Sequence, residues 1–314
     1  MRLVTFRDES GVHLGALRGD TVVALDAVAP APGSDVGKVT FQYQGEVVVL
    51  DSVAPDMLTL IDGGQELLDK ARSALERAEI VRQVRDVRLM APIPRPRQNI
   101  VCLGMNYVAH AIESDRAKGR EPKLPEHPVF FTKAVTSVCG PDDEIPLDPR
   151  VTKELDYEVE LAYIVGRTAK NIDRADALSY IFGYTIINDV SAREVQTKHQ
   201  QFFKGKSLDR SCPMGPWIVT ADEIPDPAGL GLRLRLNGET RQDSTVGDLI
   251  FDIPTTLAVL SLGQTVEPGT VISTGTPSGV GMGRTPPEYM RPGDVMEAEV
   301  DRIGVLRNRV VAAN

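Results

Sequence analysis

The sequence predicts an α+β protein, mainly β, with a small N-terminal β-rich domain over residues 1–90 and a larger domain over 91–314. Short runs of alternating apolar and polar residues recur between turn signals, which is the pattern of half-buried strands. The chain of 314 residues carries 27 glycines and 22 prolines, enough to supply many turns. The stretch Leu89 to Arg97, LMAPIPRPR, has three prolines at alternate positions. Proline fixes φ and removes a donor, so this stretch should be extended and irregular, a link between the two parts.

Composition narrows the function classes. Hydrophobic residues make up 42% and charged residues 25%, as in ordinary globular proteins, and the length suffices to bury a full core. The net charge of −9 repels phosphate backbones and anionic headgroups. Nucleic acid and membrane are therefore not expected partners. Three cysteines, Cys102, Cys139 and Cys212, are odd in number and form no C-x-x-C. This argues against a disulfide framework or a zinc knuckle and fits a reducing cytoplasm. The start MRLVTFRDESG lacks the apolar core of a signal peptide, and no apolar run approaches the ~20 residues of a membrane helix. A cytoplasmic protein is expected.

The elements follow in order. Residues 3–6, Val12 to Leu17 and Thr21 to Leu25 alternate between turns and read as a meander. Ala29 to Gly37 reads as a loop, and Lys38 to Asp51 as a hairpin with Gln44-Gly45 at its tip. From Gln65 to Val84, Leu67, Leu68, Ala71, Ala74, Leu75 and Ala78 recur at helical spacing, which predicts one amphipathic helix. Beyond the link, strands are expected at Val129 to Phe131, Leu155 to Val165, Tyr184 to Asn188, Trp217 to Thr220, Leu232 to Asn237, Val271 to Thr274 and Val295 to Val300. Helices are expected at Asn106 to Ala117, Ser191 to Phe203 and Thr255 to Ser261.

Five segments could carry chemistry. In LDYEVELA, strand alternation puts Leu155, Tyr157, Val159 and Leu161 on one face and Asp156, Glu158 and Glu160 on the other. Adjacent carboxylates repel, so they belong in solvent or around a cation. In YTIINDVSAREVQ, Asp189 closes a strand, and Ser191 with Glu194 has the form of a capping box. Asp189 could itself be a helix N-cap. If it joins Glu158 and Glu160, the set of oxygens suits Mg²⁺, Mn²⁺ or Ca²⁺ and not zinc. In NYVAHAIE, His110 and Glu113 share a helical face, where a carboxylate can orient an imidazole and raise its basicity. The bland alternative is an exposed ion pair. In FFKGKSLDRSCPMGP, Gly205-Lys206-Ser207 resembles the end of a phosphate loop, but Gln200 stands where the first glycine is required. Lys206 could instead hold a substrate carboxylate or an oxyanion. STGTPSGVGMG is not a dinucleotide fingerprint, yet its backbone allows close approach of a small ligand.

Together and in this order, the stretches APIPRPRQNIVCLGMNYVAHAIE, PVFFTKAVTSVCGPDDEI, LDYEVELAYIVG, GYTIINDVSAREVQ, KGKSLDRSCPMGPWIVT and ISTGTPSGVG resemble the fumarylacetoacetate hydrolase family over roughly residues 90 to 310. The resemblance implies the family's mixed β-sandwich roll with a metal in its mouth. It implies Glu158, Glu160 and Asp189 as metal ligands for Mg²⁺, or else Mn²⁺ or Ca²⁺. His110 and Glu113 match the catalytic dyad on a lid helix, and Lys206 matches the lysine near the metal. Lys133, Arg193, Gln196 and Thr276 match substrate-lining positions. The segment Ser114 to His127 is longer and more charged than in many relatives.

The leading expectation is metal-dependent hydrolysis of a C–C bond in a β-diketo acid such as an acylpyruvate, with His110 and Glu113 activating water. The alternative is an isomerase or decarboxylase of a 2-oxo or 2-hydroxydienoate intermediate of aromatic catabolism, including the oxaloacetate decarboxylase type. A silent metal-binding relative is a third reading, and an Mg²⁺ phosphohydrolase a remote fourth. A homodimer is expected.

Overall fold

The structure is a computed structural model that describes residues 1–25, 39–43, 46–50, 56–78 and 81–313. A 12-stranded sheet forms its centre. Its main path runs Arg82–Gln83, Thr21–Ala24, Gly11–Arg18, Arg2–Asp8, Cys212–Thr220, Ile181–Asn188, Val159–Val165, Val271–Ser273, Ile100–Gly104 and Val129–Lys133. A five-stranded sheet lies against it, in the order Glu144–Leu147, Gly304–Ala312, Val295–Val300, Gly231–Leu236 and Glu239–Thr245. This is the mixed, mainly β architecture expected.

Strand alternation sorts side chains between two cores. Val159, Leu161, Tyr163 and Val165 pack with Leu232, Leu234, Met296 and Ala298 of the smaller sheet. Ala162 and Ile164, between them in sequence, pack on the opposite face with Leu3, Ile187 and Ile218. There the sheet is covered by two helices, α1 (Met57–Asp62) and α2 (Gly64–Arg77), which bury Leu60, Ile61, Leu67 and Leu68. Burial on both faces explains why the central strands read as near-continuous apolar runs.

The meander is present, and Arg2–Asp8 pairs with Cys212–Thr220 through Leu3 and Ile218. Strands on either side of residue 90 thus share one sheet. The hairpin strands are Val39–Tyr43 and Glu46–Leu50, while the Ala29–Gly37 loop and the Gln44-Gly45 tip lie outside the described residues. The link is irregular, and Met90, Ala91 and Ile93 are buried. Met90 donates its N–H to Thr5, and the Thr5 hydroxyl donates to the Pro92 carbonyl.

Four expectations are corrected. The helix expected over 65–84 ends at Arg77 because its burying stripe ends there, and Arg82–Gln83 pairs with Thr21 and Val22 as an edge strand. The strand expected over 155–165 breaks at Tyr157 and Glu158. Side chains replace the ladder there: Asp156 Oδ1 accepts from the Tyr157 N–H, and Asn188 Oδ1 from the Glu158 N–H. The capping box does not form. The Ser191 hydroxyl donates to the Asp189 carbonyl, and Glu194 accepts the Lys153 N–H. Nor is the helix over 191–203 continuous. It splits at Gln200, in a left-handed conformation (φ 58°), into α4 (Arg193–His199) and α5 (Phe202–Lys206). α3 spans Val108–Ala117 and α6 spans Ile253–Ser261. Among the described residues no helix is long and apolar enough to cross a membrane, and Cys102, Cys139 and Cys212 are free and buried.

Candidate active site

The strand pairing brings the carboxylates together. Val159–Val165 runs antiparallel to Ile181–Asn188, with Val159 opposite Asn188 and Glu160 opposite Ile187. Asp189, one residue past that strand, donates its N–H to the Glu158 carbonyl at 2.8 Å. Oxygens of Glu158, Glu160 and Asp189 consequently lie within 4.8 Å of one another, and the three residues are 4%, 1% and 0% exposed. Like charges so close in a low dielectric need compensation.

Three cations supply it. Lys206 Nζ lies 2.5 Å from Glu158 Oε2 and 2.7 Å from Asp189 Oδ2. Lys133 Nζ lies 2.7 Å from Asp189 Oδ1. Arg193 Nη2 lies 2.7 Å from Glu158 Oε1, and its Nε donates to Asp156 Oδ2 at 2.9 Å. The turn at Gln200 is what returns Lys206 to the cluster. α5 folds onto α4 at Gly205, where a Cβ would stand 2.7 Å from the Gln196 nitrogen and 2.9 Å from the Ala192 oxygen.

The environments push the carboxylates apart. Burial alone would raise the Glu158 pKa, but Lys206 and Arg193 outweigh it and hold the carboxyl well below the usual range. Glu160 is pushed well above that range by burial and then by Asp189 and Glu158, although the Ser273 hydroxyl donates to its Oε2 at 2.5 Å and the Gly275 N–H at 3.0 Å. Burial would lower the Lys206 pKa, but Asp189 and Glu158 raise it, so it stays an ammonium. The chemistry of the donor set fits a hard divalent cation: buried, convergent carboxylate oxygens without Cys or His.

α3 carries the dyad. His110 Nδ1 lies 3.3 Å from Glu113 Oε2. His110 is 7% exposed, so this is no solvated surface pair. Both Glu113 oxygens also accept the Gly279 N–H, at 3.0 and 3.2 Å. The chain entering α3 is fixed by Asn106, whose amide donates to the Phe251 and Thr274 carbonyls and accepts the Phe251 N–H. The loop 275–283 is a common support. Its amides bond Glu160 from Gly275, Glu113 from Gly279, and Asp156 from Gly281 and Met282. It lies so close to α3 that a Cβ on Gly283 would sit 2.4 Å from Glu113 Oε1.

These groups surround one cavity of about 800 Å³, lined by Glu158, Glu160, His110, Arg193, Gln196, Lys206 and Thr276. Glu113, Asp189 and Lys133 do not line it. Glu113 backs His110, and Lys133, 0% exposed, backs Asp189. Thr276 donates its hydroxyl to the Val159 carbonyl and Gln196 accepts from Arg193.

Residues 99–311 match the fumarylacetoacetate hydrolase C-terminal family. The chain belongs to the fumarylacetoacetate hydrolase family. It is 43% identical over 269 residues to oxaloacetate tautomerase YisK of Bacillus subtilis, covering 83% of this chain and 88% of that one. The fumarylacetoacetate hydrolase structure from psychrophilic Exiguobacterium antarcticum aligns with a TM-score of 0.80 and 36% identity over 100% of both chains. Maleylpyruvate hydrolase from Sphingobium sp. SYK-6, in complex with manganese(II) ion and pyruvate, aligns with a TM-score of 0.77 and 30% identity over 100% of both chains.

For this fumarylacetoacetate hydrolase family member, sequence reasoning missed several supporting groups. Asp156 was placed on the carboxylate face by alternation, but its bond to Arg193 crosses 37 residues and leaves no local signal. Asn106 and Ser273 stand inside the singled-out motifs, and only the fold shows what they hold. Phe131 and Phe202, edge to face at 5.3 Å, form an apolar wall beside Lys206. Phe202-Phe203 was the available signal there.

Proposed function

We propose that this protein interconverts the keto and enol tautomers of a 2-oxo acid of the oxaloacetate class, with a divalent cation such as Mg²⁺ held by Glu158, Glu160 and Asp189. The observation that carries this reading is His110, backed by Glu113, lining the same cavity as the buried carboxylate cluster. Tautomerisation requires little more than a positioned proton carrier and a place for negative charge on oxygen. The likeness to a relative named oxaloacetate tautomerase favours the isomerase class over C–C hydrolysis.

The residues divide the work. When bound, the cation would polarise the keto oxygen and favour negative charge there. Lys133, Lys206 and Arg193 together with a divalent cation outweigh Asp156, Glu158, Glu160 and Asp189 by one charge, so the floor attracts an anion. His110 faces Glu113 through Nδ1, which assigns the proton to that nitrogen and leaves Nε2 as base. Nε2 takes a proton from C3 of the keto form as the C–H electron pair becomes the C2–C3 π bond and the carbonyl π pair moves onto oxygen, and the imidazolium then gives its proton to that oxygen. The reverse sequence returns the ketone, with no net change in atoms. Glu113, fixed by Gly279, keeps the ring turned and steadies the imidazolium.

A second reading, C–C hydrolysis of a β-diketo acid, is favoured by the solved neighbour named maleylpyruvate hydrolase and by a cavity of about 800 Å³, larger than a four-carbon acid requires. One assay pair separates them. Enol-oxaloacetate and acetylpyruvate are supplied to metal-loaded protein, and ultraviolet absorbance and released pyruvate are followed. Faster enol decay without pyruvate supports the tautomerase. Pyruvate and acetate from acetylpyruvate, with no effect on enol decay, supports the hydrolase and overturns our reading.

A further inference from the structure

We propose that Lys118 and Arg120, on the segment leaving α3, form a subsite for a second carboxylate, so that the site selects dicarboxylic over monocarboxylic 2-oxo acids. The inference rests on the 2-oxo acid reading above and adds the chemical class of the substrate's far end.

Both residues line the cavity that holds Glu158, Glu160 and Lys206. Among the described residues neither forms an ion pair. The Lys118 ammonium donates to the neutral Ser114 hydroxyl at 2.9 Å. Of the acids on the same segment, Asp115 also lines the cavity, with its Oδ2 accepting the Lys123 N–H, while Glu126 lies off the cavity and faces Lys123. Lys118 and Arg120 are exposed cations whose side chains reach the cavity. A lysine just past a helix C-terminus can be there for the helix dipole alone. Arg120, two residues further, has no such role and still lines the cavity. Desolvation, then the charges of Arg193 and Arg120, lower the Lys118 pKa against the opposing pull of Asp115 and Glu158.

His110 and Lys118 lie eight residues apart along α3 and its extension, about 12 Å along the axis at the usual helical rise, so a far carboxylate is met only through the long side chains of Lys118 and Arg120. The floor cations are committed to Glu158 and Asp189, so a carboxylate at the tail has Lys118 and Arg120 as partners. Charge-assisted pairs give discrimination that an apolar rim would not.

Calorimetry of Mg²⁺-loaded protein with oxamate and N-oxalylglycine tests this. The two share an oxalyl head, and only the second carries a tail carboxylate. Wild-type protein should bind N-oxalylglycine about 10-fold or more tightly than oxamate, a difference of ~1.4 kcal/mol. The variant Lys118→Gln/Arg120→Gln should bring that ratio towards one. Lys123→Gln, whose partner is Glu126 on the outer side, serves as control and should keep it. Equal affinity for the two probes in wild type, binding of neither, or a ratio that survives the double substitution overturns the subsite. An intact wild-type ratio that collapses in the double variant, in a protein without tautomerase activity, would remove the proposed reaction and keep the subsite.

Discussion

The floor and the rim of the cavity treat their charges oppositely. On the floor Glu158, Glu160, Asp189, Lys133, Lys206 and Arg193 are at most 7% exposed; Glu158 and Asp189 are paired with the three cations, and Glu160 is held by the Ser273 hydroxyl and the Gly275 N–H. At the rim, Lys118, Arg120 and Lys123 are exposed and lie on one segment after α3. A buried charge network costs several kcal/mol when one member is removed, whereas an exposed pair contributes little. The floor is therefore rigid and hard to vary, and the rim is where one family member can differ from another.

The largest expected effect is at the floor. Asp189→Ala removes one candidate ligand and leaves two buried ammonium groups short of a partner. It should cost about 3–5 kcal/mol in denaturant unfolding. It should also weaken Mn²⁺ binding by more than the roughly 10–100-fold typical of losing a group that only orients a ligand. Asp189→Asn, which keeps the shape, separates the two effects. Wild-type Mn²⁺ affinity in both would sink the ligand assignment.

Next is the wall. His110→Ala should keep Mn²⁺ affinity within about threefold and slow tautomerisation by roughly 10²–10⁴-fold, the usual range for a proton-transfer group. Unchanged turnover would remove the dyad from the mechanism. Gly283→Ala should act through geometry, because its Cβ meets the Glu113 carboxylate at 2.4 Å. We expect about a 10-fold loss of kcat with metal affinity intact, read by steady-state kinetics beside a metal titration. The smallest effect is at the rim: Lys123→Gln should change stability by no more than ~0.5 kcal/mol in denaturant melts. A larger loss would show that the rim is part of the folded core's charge network.

The same division explains what could be read from the sequence. Alternation in LDYEVELA put Glu158 and Glu160 on one face, and the helical spacing of His110 and Glu113 put them in contact, because both patterns are local. That Asp189 joins them depends on pairing between strands some 30 residues apart, which only the family resemblance supplied. Lys133 matched a substrate-lining position, yet the fold sets it behind Asp189. The break at Gln200 was invisible because helical propensity runs through it, and a left-handed residue there is imposed by the packing of Gly205 on α4. The meander and the two-core sandwich were legible as strands, but not the joining of Arg2–Asp8 to Cys212–Thr220, a contact across more than 200 residues.

The central claim is that the carboxylate floor and His110 together move a proton on a 2-oxo acid. The most direct measurement is the decay of enol-oxaloacetate absorbance with EDTA-stripped protein, before and after Mg²⁺ is restored, in wild type and His110→Ala. The account predicts acceleration only in wild type and only with the metal. Equal rates with and without metal, or in both proteins, would contradict it.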